Sequence, residues 1–251
     1  MLTDERYNII LSLLEKQHVA KLAELVQATG ASESTIRRDL SVLEDEKKLK
    51  RIHGGASLLN SKSNEPTMIE KKNRFADEKH QIGQTAASFI ENGDCIFVDA
   101  GTTTEAMIPF IGTKDVIIVT NGSNIIQESL RHGFQTYVTG GYVKSGTNAF
   151  VGKLAVEALS QFRFDKSFIG ANGVDIAFGY STPDPEEAQV KKMAISQSSK
   201  AFILADGSKF HETSFAKFAE IRAAKLITTG GDASFIEQIM QSTEVEVAIE
   251  Q

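Results

Sequence analysis

Five short stretches carry the residue types that bind a polar small molecule. Asp99-Ala100-Gly101-Thr102-Thr103-Thr104 follows the apolar run Cys95-Ile96-Phe97-Val98 and opens a helical pattern. Glycine lets a backbone approach a ligand. Threonine hydroxyls and the free amides of a helix start can then hold an anion. Taken alone, such a loop is better explained as a tight turn with threonine caps. Its recurrence carries more weight. Thr120-Asn121-Gly122, Thr139-Gly140-Gly141, Gly170-Ala171-Asn172-Gly173 and Asp206-Gly207-Ser208-Lys209 each end another strand-like run. In a parallel sheet these ends gather on one side, where a crevice for a phosphorylated small molecule would form. Glu187 and Lys191, on the helical pattern Glu186–Ser199, could reach the same crevice.

A second chemistry lies near the N-terminus. Thr35-Ile36-Arg37-Arg38-Asp39-Leu40 sits in a helical pattern that starts after Ser32, a good N-cap. At about 100° per residue, Ile36, Leu40 and Leu43 form the inner stripe. Arg38, Ser34 and Ser41 fall opposite, where they could enter a DNA groove. Arg37 lies on a flank, suited to a phosphate or to an acidic neighbour. Two more helical patterns precede this one, about Thr3–Lys16 and Lys21–Ala28, the second stopped by Gly30. Leu49-Lys50-Arg51-Ile52-His53-Gly54-Gly55-Ala56-Ser57-Leu58-Leu59 reads as a hairpin about a Gly-Gly turn. Helix, turn, helix and basic hairpin make a winged helix-turn-helix. The DNA-facing candidates are Lys21, Ser32, Ser34, Thr35, Arg37, Arg38, Ser41, Lys50, Arg51 and His53. Charge alone decides little, because Arg37 to Arg51 holds six cations against four anions. Three-helix bundles also support other tasks.

These elements must be positioned by two domains. At 251 residues the chain has room for about two. Its texture changes near residue 60, at the polar stretch Asn60-Ser61-Lys62-Ser63-Asn64-Glu65-Pro66. Residues 1–58 are expected to form the DNA-binding domain, 59–76 a linker and 77–251 the ligand-binding domain. In the last, a helix from about Asp77 to Glu91 precedes strands at 95–99, 116–119, 136–138, 167–169, 202–205, 226–228 and 245–248. Alternating strands and helices imply an α/β fold with a mainly parallel sheet.

Other classes are set aside. A net charge of −6 argues against nucleic acid as an average, but not against a local basic face. No apolar run nears the roughly 18 residues of a membrane span, and Met1-Leu2-Thr3-Asp4-Glu5-Arg6 does not read as a signal peptide. The single cysteine, Cys95, excludes an internal disulfide and reads as a buried small hydrophobe. A cytoplasmic protein is expected, with no membrane partner. His18, His53, His80, His132 and His211 lack metal-ligand spacing, and no Walker A or dinucleotide fingerprint occurs, so neither metal nor cofactor is expected. Phe210, Phe215 and Phe218 would cover the core or a subunit contact.

The residues also resemble a known family. Arg6, Ile10, Leu14, then Ser32-Glu33-Ser34-Thr35-Ile36-Arg37-Arg38-Asp39-Leu40, Leu43-Glu44 and Arg51-Ile52-His53-Gly54-Gly55-Ala56 resemble the N-terminal domain of the DeoR family of bacterial transcription regulators. Glu78-Lys79, Ile82-Gly83, Asp99-Ala100-Gly101-Thr102-Thr103, Thr120-Asn121, Gly140-Gly141 and Asp206-Gly207-Ser208-Lys209 resemble its effector domain. That resemblance implies double-stranded operator DNA as partner, a homo-dimer or tetramer, and repression of a sugar operon. It also implies a sensor similar in fold to ribose-5-phosphate isomerase, with a sugar phosphate as ligand. Residues 31–40 are most similar to the fructose-operon repressors of Gram-positive bacteria, which points to fructose 1-phosphate. The implied roles put phosphate on the Thr102–Thr103 loop and Lys209, and sugar hydroxyls on Asp99 and Glu187. A rival reading is an active isomerase fused to a DNA-binding domain. Against it, Tyr180-Ser181-Thr182-Pro183-Asp184-Pro185-Glu186-Glu187 replaces the glycine-rich loop of such isomerases. Counting back from Ser208-Lys209 puts Lys191 about where their base would be, and Glu187 is one carboxylate with no evident partner.

Overall fold

Ile10, Leu14, Leu22, Leu25, Ile36, Leu40, Leu43 and Leu49 meet in one small buried core, as their helical spacing requires. The computed structural model describes residues 3–17, 19–46, 48–52, 54–58 and 68–249. Within it the chain divides into two units, Met1–Ser61 and Lys62–Gln251. His53, Lys47 and residues 59–67, the first half of the expected linker, lie outside the described residues.

The first unit holds α1 (Thr3–Gln17), β1 (Val19–Lys21), α2 (Leu22–Thr29), α3 (Glu33–Asp45), β2 (Leu49–Ile52) and β3 (Gly55–Leu58). Gly30 ends α2 in the left-handed conformation, with φ 65°. The Ser32 hydroxyl accepts from the Thr35 amide and caps α3. The wing is three-stranded, in the order β1-β3-β2. β1 does not show in sequence periodicity because it is three residues long. It takes Lys21 out of the expected second helix: Lys21 pairs with Gly55, and its amide donates to Glu24 Oε2 at 2.7 Å. A Cβ at Gly55 would lie 2.1 Å from the Ala20 carbonyl oxygen, so only glycine lets β3 close on β1.

The second unit is built on seven strands, all parallel, in the order β15-β14-β12-β9-β4-β5-β6. These are β4 (Cys95–Val98), β5 (Ile117–Thr120), β6 (Gln135–Val138), β9 (Phe164–Gly170), β12 (Ser198–Leu204), β14 (Lys225–Thr228) and β15 (Val245–Val247). Both sheet faces are buried. In β4, Phe97 packs with Ile169, Ile203 and Leu226 on one face, while Ile96 and Val98 pack with Ile118, Phe168 and Ile227 on the other. Helix α5 (Ala76–Ala87) precedes the sheet, and α6 (Thr102–Glu105), α7 (Ser123–Arg131), α8 (Lys153–Leu159), α9 (Pro185–Ser196) and α10 (Ala233–Met240) lie between its strands in sequence.

The structure corrects several expectations. A further helix, α4 (Met68–Asn73), lies in the stretch expected as linker. It is anchored from outside, because the Lys79 ammonium donates to the carbonyls of Lys71 and Arg74. Two small elements escape periodicity because their strands are only three or four residues long. They are the hairpin β7 (Tyr142–Lys144) and β8 (Ala149–Val151), and an antiparallel sheet of β10 (Gly173–Asp175), β11 (Gly179–Thr182) and β13 (Ala216–Ala219). Cys95 is half-buried rather than buried, at the first position of β4. Phe210 and Phe218 are core residues, whereas Phe215 is exposed.

Candidate functional site

On the first unit, Ser34, Arg37 and Arg38 are exposed on α3, opposite buried Ile36, Leu40 and Leu43. Arg37 donates to Glu33 Oε1 at 2.6 Å, and both side chains are exposed. Such a pair is worth roughly 0.3–0.5 kcal/mol and is easily exchanged for a phosphate. Thr35 is half-buried, and its hydroxyl lies 2.8 Å from that of Ser32. Ser41 donates to the Arg37 carbonyl and accepts from Arg51 Nη1 at 2.7 Å, which ties the wing to α3. The Arg51 amide also donates to Glu44 Oε1 at 2.8 Å. Lys50 lies in β2. Asp39 is buried, and Arg6 of α1 donates to both its oxygens, at 2.5 and 3.0 Å. The adjacent residues of Arg37-Arg38-Asp39 therefore differ in setting: a flanking ion pair, an outward cation and an internal brace.

On the second unit, all five glycine-bearing stretches lie at the carboxyl ends of parallel strands: β4, β5, β6, β9 and β12. β4 is the first strand of the sheet in sequence yet lies inside it. The chain runs from it to β5 and β6 on one side, then returns to β9, β12, β14 and β15 on the other. The switch point is between β4 and β9, the expected place for a ligand. There Asp99, buried beside β4, accepts from the Gly170 amide of β9 at 3.1 Å and from Lys191 Nζ at 2.5 Å. Lys191 also donates to the Gly170 carbonyl at 3.0 Å.

Some expected ligand groups are spent on the scaffold. The Thr104 hydroxyl donates to the carbonyls of Asp99 and Gly101 at 2.6 and 2.8 Å. The Thr120 hydroxyl donates to the Val98 carbonyl at 2.6 Å, and Asn121 Oδ1 accepts from the Ala100 amide at 3.1 Å. These three hold the Gly101 loop in shape. Glu187 is likewise engaged: Thr147 and Lys144 donate to Oε1 at 2.7 and 3.0 Å, and Thr182 donates to Oε2 at 3.1 Å. Thr182 also donates to Asn172 Oδ1 at 3.3 Å. Thr102 and Gly173 are buried, whereas Gly101, Thr103, Gly140, Asn172 and Lys209 are half-buried and Gly141 is exposed.

The β12 end carries a charged group that sequence reading underweighted. Asp206 is buried; its Oδ1 accepts from the Ser208 amide and hydroxyl, while Oδ2 makes no hydrogen bond. Lys209 Nζ lies 4.0 Å from Oδ2. Burial lowers the Lys209 pKa, Asp206 opposes this, and the nearby Lys71 and Arg74 add to it. Lys79 is also buried, and burial pushes its ammonium down to about 8 against the pull of Asp206, with Lys209 and Lys71 adding to the depression. Lys79 precedes Gly83 by one helical turn, so the two share a face of α5. A Cβ at Gly83 would lie 2.6 Å from the Ala106 carbonyl oxygen, so glycine lets α5 close on the chain just after α6. In the sequence Lys79 stood out only as part of the family-like Glu78-Lys79 pair. Lys144, Thr147 and Thr182, which hold Glu187, had no signal, because they come from short strands and a turn.

The DeoR-like helix-turn-helix domain model matches residues 6–62, and the DeoR C terminal sensor domain model matches residues 74–231. The chain belongs to the DeoR family. It is 48% identical to the uncharacterized HTH-type transcriptional regulator FruR of Bacillus subtilis over 98% of this chain and 99% of that one. It is 34% identical to the lactose phosphotransferase system repressor of Staphylococcus epidermidis over 96% and 98% of the two chains. A solved ribose 5-phosphate isomerase A of Methanocaldococcus jannaschii aligns with 54% of this chain and 55% of its own, at 16% identity and TM-score 0.40. This DeoR-family chain is thus a DNA-binding transcription regulator, and the isomerase reading gives way to that. No described helix is long and apolar enough to cross a membrane. Among the described residues no group of three or more His, Cys, Asp or Glu could hold a metal.

Proposed function

We propose that this regulator represses a sugar-utilisation operon and that a phosphorylated sugar, bound at the carboxyl ends of β4, β5, β6, β9 and β12, controls it. The observation that carries the DNA half is the exposed Ser34–Arg38 face of α3 beside a wing tied on by Arg51. α3 lies in the major groove, with Arg38 reading a base edge and Arg37 exchanging Glu33 for a phosphate. Relatives named as repressors of a lactose phosphotransferase system support both repression and a sugar signal. Fructose 1-phosphate is the first ligand to test, on the resemblance of residues 31–40.

The test is binding to an operator and to scrambled DNA. Arg38→Ala costs about 1–3 kcal/mol on the operator and relaxes preference at one base position. Arg37→Ala weakens both DNAs about equally. Equal losses on both DNAs for Arg38→Ala remove the base-reading assignment.

In the crevice, the Thr102–Thr103 loop and Lys209 take the phosphate. Asp99 and the unbonded oxygen of Asp206 face hydroxyls, with Lys191 kept beside Asp99 as its counter-charge and Glu187 bracing the wall through Thr147, Lys144 and Thr182. Lys209→Ala then reduces affinity for fructose 1-phosphate far more than for fructose in calorimetry. Unchanged discrimination between the two excludes Lys209 from phosphate binding.

The second unit supplies assembly as a dimer or tetramer. At one edge of its sheet, β15 carries Glu246, paired to Lys225 at 3.0 Å. At the other, β6 is uncharged and exposes Tyr137 and Val138. Charged edges resist pairing with their own copy, and β6 lacks that protection.

A further inference from the structure

We propose that Phe75 is the aromatic wall of the ligand crevice and packs against the carbon face of the bound sugar phosphate. This rests on the reading of Lys209 as the group that takes the phosphate. It adds the contact that tells a sugar phosphate from phosphate alone.

Phe75 stands between α4 and α5 with φ 53° and ψ 44°. That is the left-handed region, where a bulky side chain is strained and glycine is the ordinary choice. Neighbouring bonds hold the turn in this shape. The Arg74 amide donates to the Lys71 carbonyl at 3.3 Å, the Lys79 amide to the Phe75 carbonyl at 3.0 Å, and the Lys79 ammonium to the Arg74 carbonyl at 2.6 Å. None of these bonds uses the Phe75 side chain, so glycine would keep them without the strain. Core packing does not account for the phenylalanine either, because it is 45% exposed. Strain of this kind gathers where a side chain has a task.

The surroundings point to the task. Lys209, just after β12, has its Nζ 6.0 Å from the centre of the Phe75 ring. That is the outer limit of a cation–π contact, so the ring adds little to the hold on the ammonium. The ammonium is held by its own loop: it donates to Ser208 Oγ at 3.0 Å and lies 4.0 Å from Asp206 Oδ2. Phe75 therefore sits beside the cation assigned to the phosphate, with nearly half of its surface open. A phosphate on Lys209 brings the sugar that carries it within reach of the ring. The other groups expected to bind ligand, from Asp99 to Lys209, are all polar residues or glycine. Small-molecule sites use apolar and aromatic walls as well as polar anchors. A sugar has such a surface to offer, because its C–H bonds lie on faces between its hydroxyls and pack on an aromatic face. Phe75 supplies the wall that the polar residues lack.

The full-length chain has no tryptophan, so Phe75→Trp gives a single fluorescent reporter that keeps an aromatic face. Titration with fructose 1-phosphate shifts its emission to shorter wavelength and saturates, whereas inorganic phosphate leaves the emission in place. Leu130→Trp, exposed in the last turn of α7 and so away from the strand ends, responds to neither. In calorimetry, Phe75→Ala reduces affinity for fructose 1-phosphate about tenfold and leaves affinity for inorganic phosphate unchanged. Phe75→Gly loses the same affinity, yet unfolds at a higher temperature than Phe75→Ala because the left-handed strain is gone. Affinity and stability then move in opposite directions, which a folding defect cannot produce. Equal losses for fructose 1-phosphate and inorganic phosphate in Phe75→Ala mean that the ring only positions Lys209, and overturn the proposal. Undiminished affinity for fructose 1-phosphate in Phe75→Ala overturns it too and leaves the reading of Lys209 standing. If the unaltered protein binds neither phosphate, the reading of the crevice falls and the proposal falls with it.

Discussion

Lys191→Met destabilises the second unit by about 3–5 kcal/mol, measured by thermal or urea unfolding at neutral pH. The Lys191 ammonium is the counter-charge of Asp99, 2.5 Å away, and both side chains are buried. Methionine keeps the stem and leaves a carboxylate in the sheet crevice with only the Gly170 amide to solvate it. The double variant Asp99→Asn with Lys191→Met recovers most of the loss, because no unpaired charge remains. A loss that persists in the double variant would mean that packing of the lysine stem, not charge, is what counts.

Residues 1–66 alone bind the operator about 10²–10⁴-fold more weakly than the full chain. A winged unit presents one recognition helix, and an isolated module falls near the non-specific range of roughly 10⁻⁴–10⁻⁶ M at physiological salt. Two modules held together gain through effective concentration. In the first unit the apolar residues of α1, α2 and α3 are largely committed to one core, with nothing like a heptad seam left over among the described residues. The comparison is a titration of operator DNA by fragment and full chain at one salt concentration, with residues 70–251 weighed in solution. Equal affinities, or a monomeric 70–251 fragment at micromolar concentration, would falsify the assignment of assembly to the second unit.

The parts of the molecule that sequence revealed are those with a strong period or a defined cap. Ile36, Leu40 and Leu43 mark the inner face of α3, and Ser32 and Gly30 mark the turn before it. Runs such as Cys95–Val98 and Ile117–Thr120 read as strands because both of their faces are buried. The five loops after them were legible because glycine and threonine stand where strands stop. What was hidden depends on distant partners. β1 exists because Gly55 lets another strand approach it. α4 exists because a lysine eight residues on accepts the task of capping it. The spent hydroxyls of Thr104 and Thr120 look in sequence like the available hydroxyl of any threonine; only the facing carbonyls tell them apart. Glu187 had no visible partner because its three donors come from β7, the turn after it and β11, none of which has periodicity.

The position of β4 inside its sheet also orders events in time. Its neighbour β9 begins 66 residues after Val98, so that pairing closes a long loop, and contacts of that kind make folding slow. In the first unit the farthest buried core partners, Ile10 and Ala56, are 46 residues apart, a shorter closure. On the ribosome the winged unit is complete before β4 has been synthesised, and the two flanks of the ligand crevice meet only after β9 emerges. The unit that carries the recognition helix is therefore made before the sheet of the sensor unit can close.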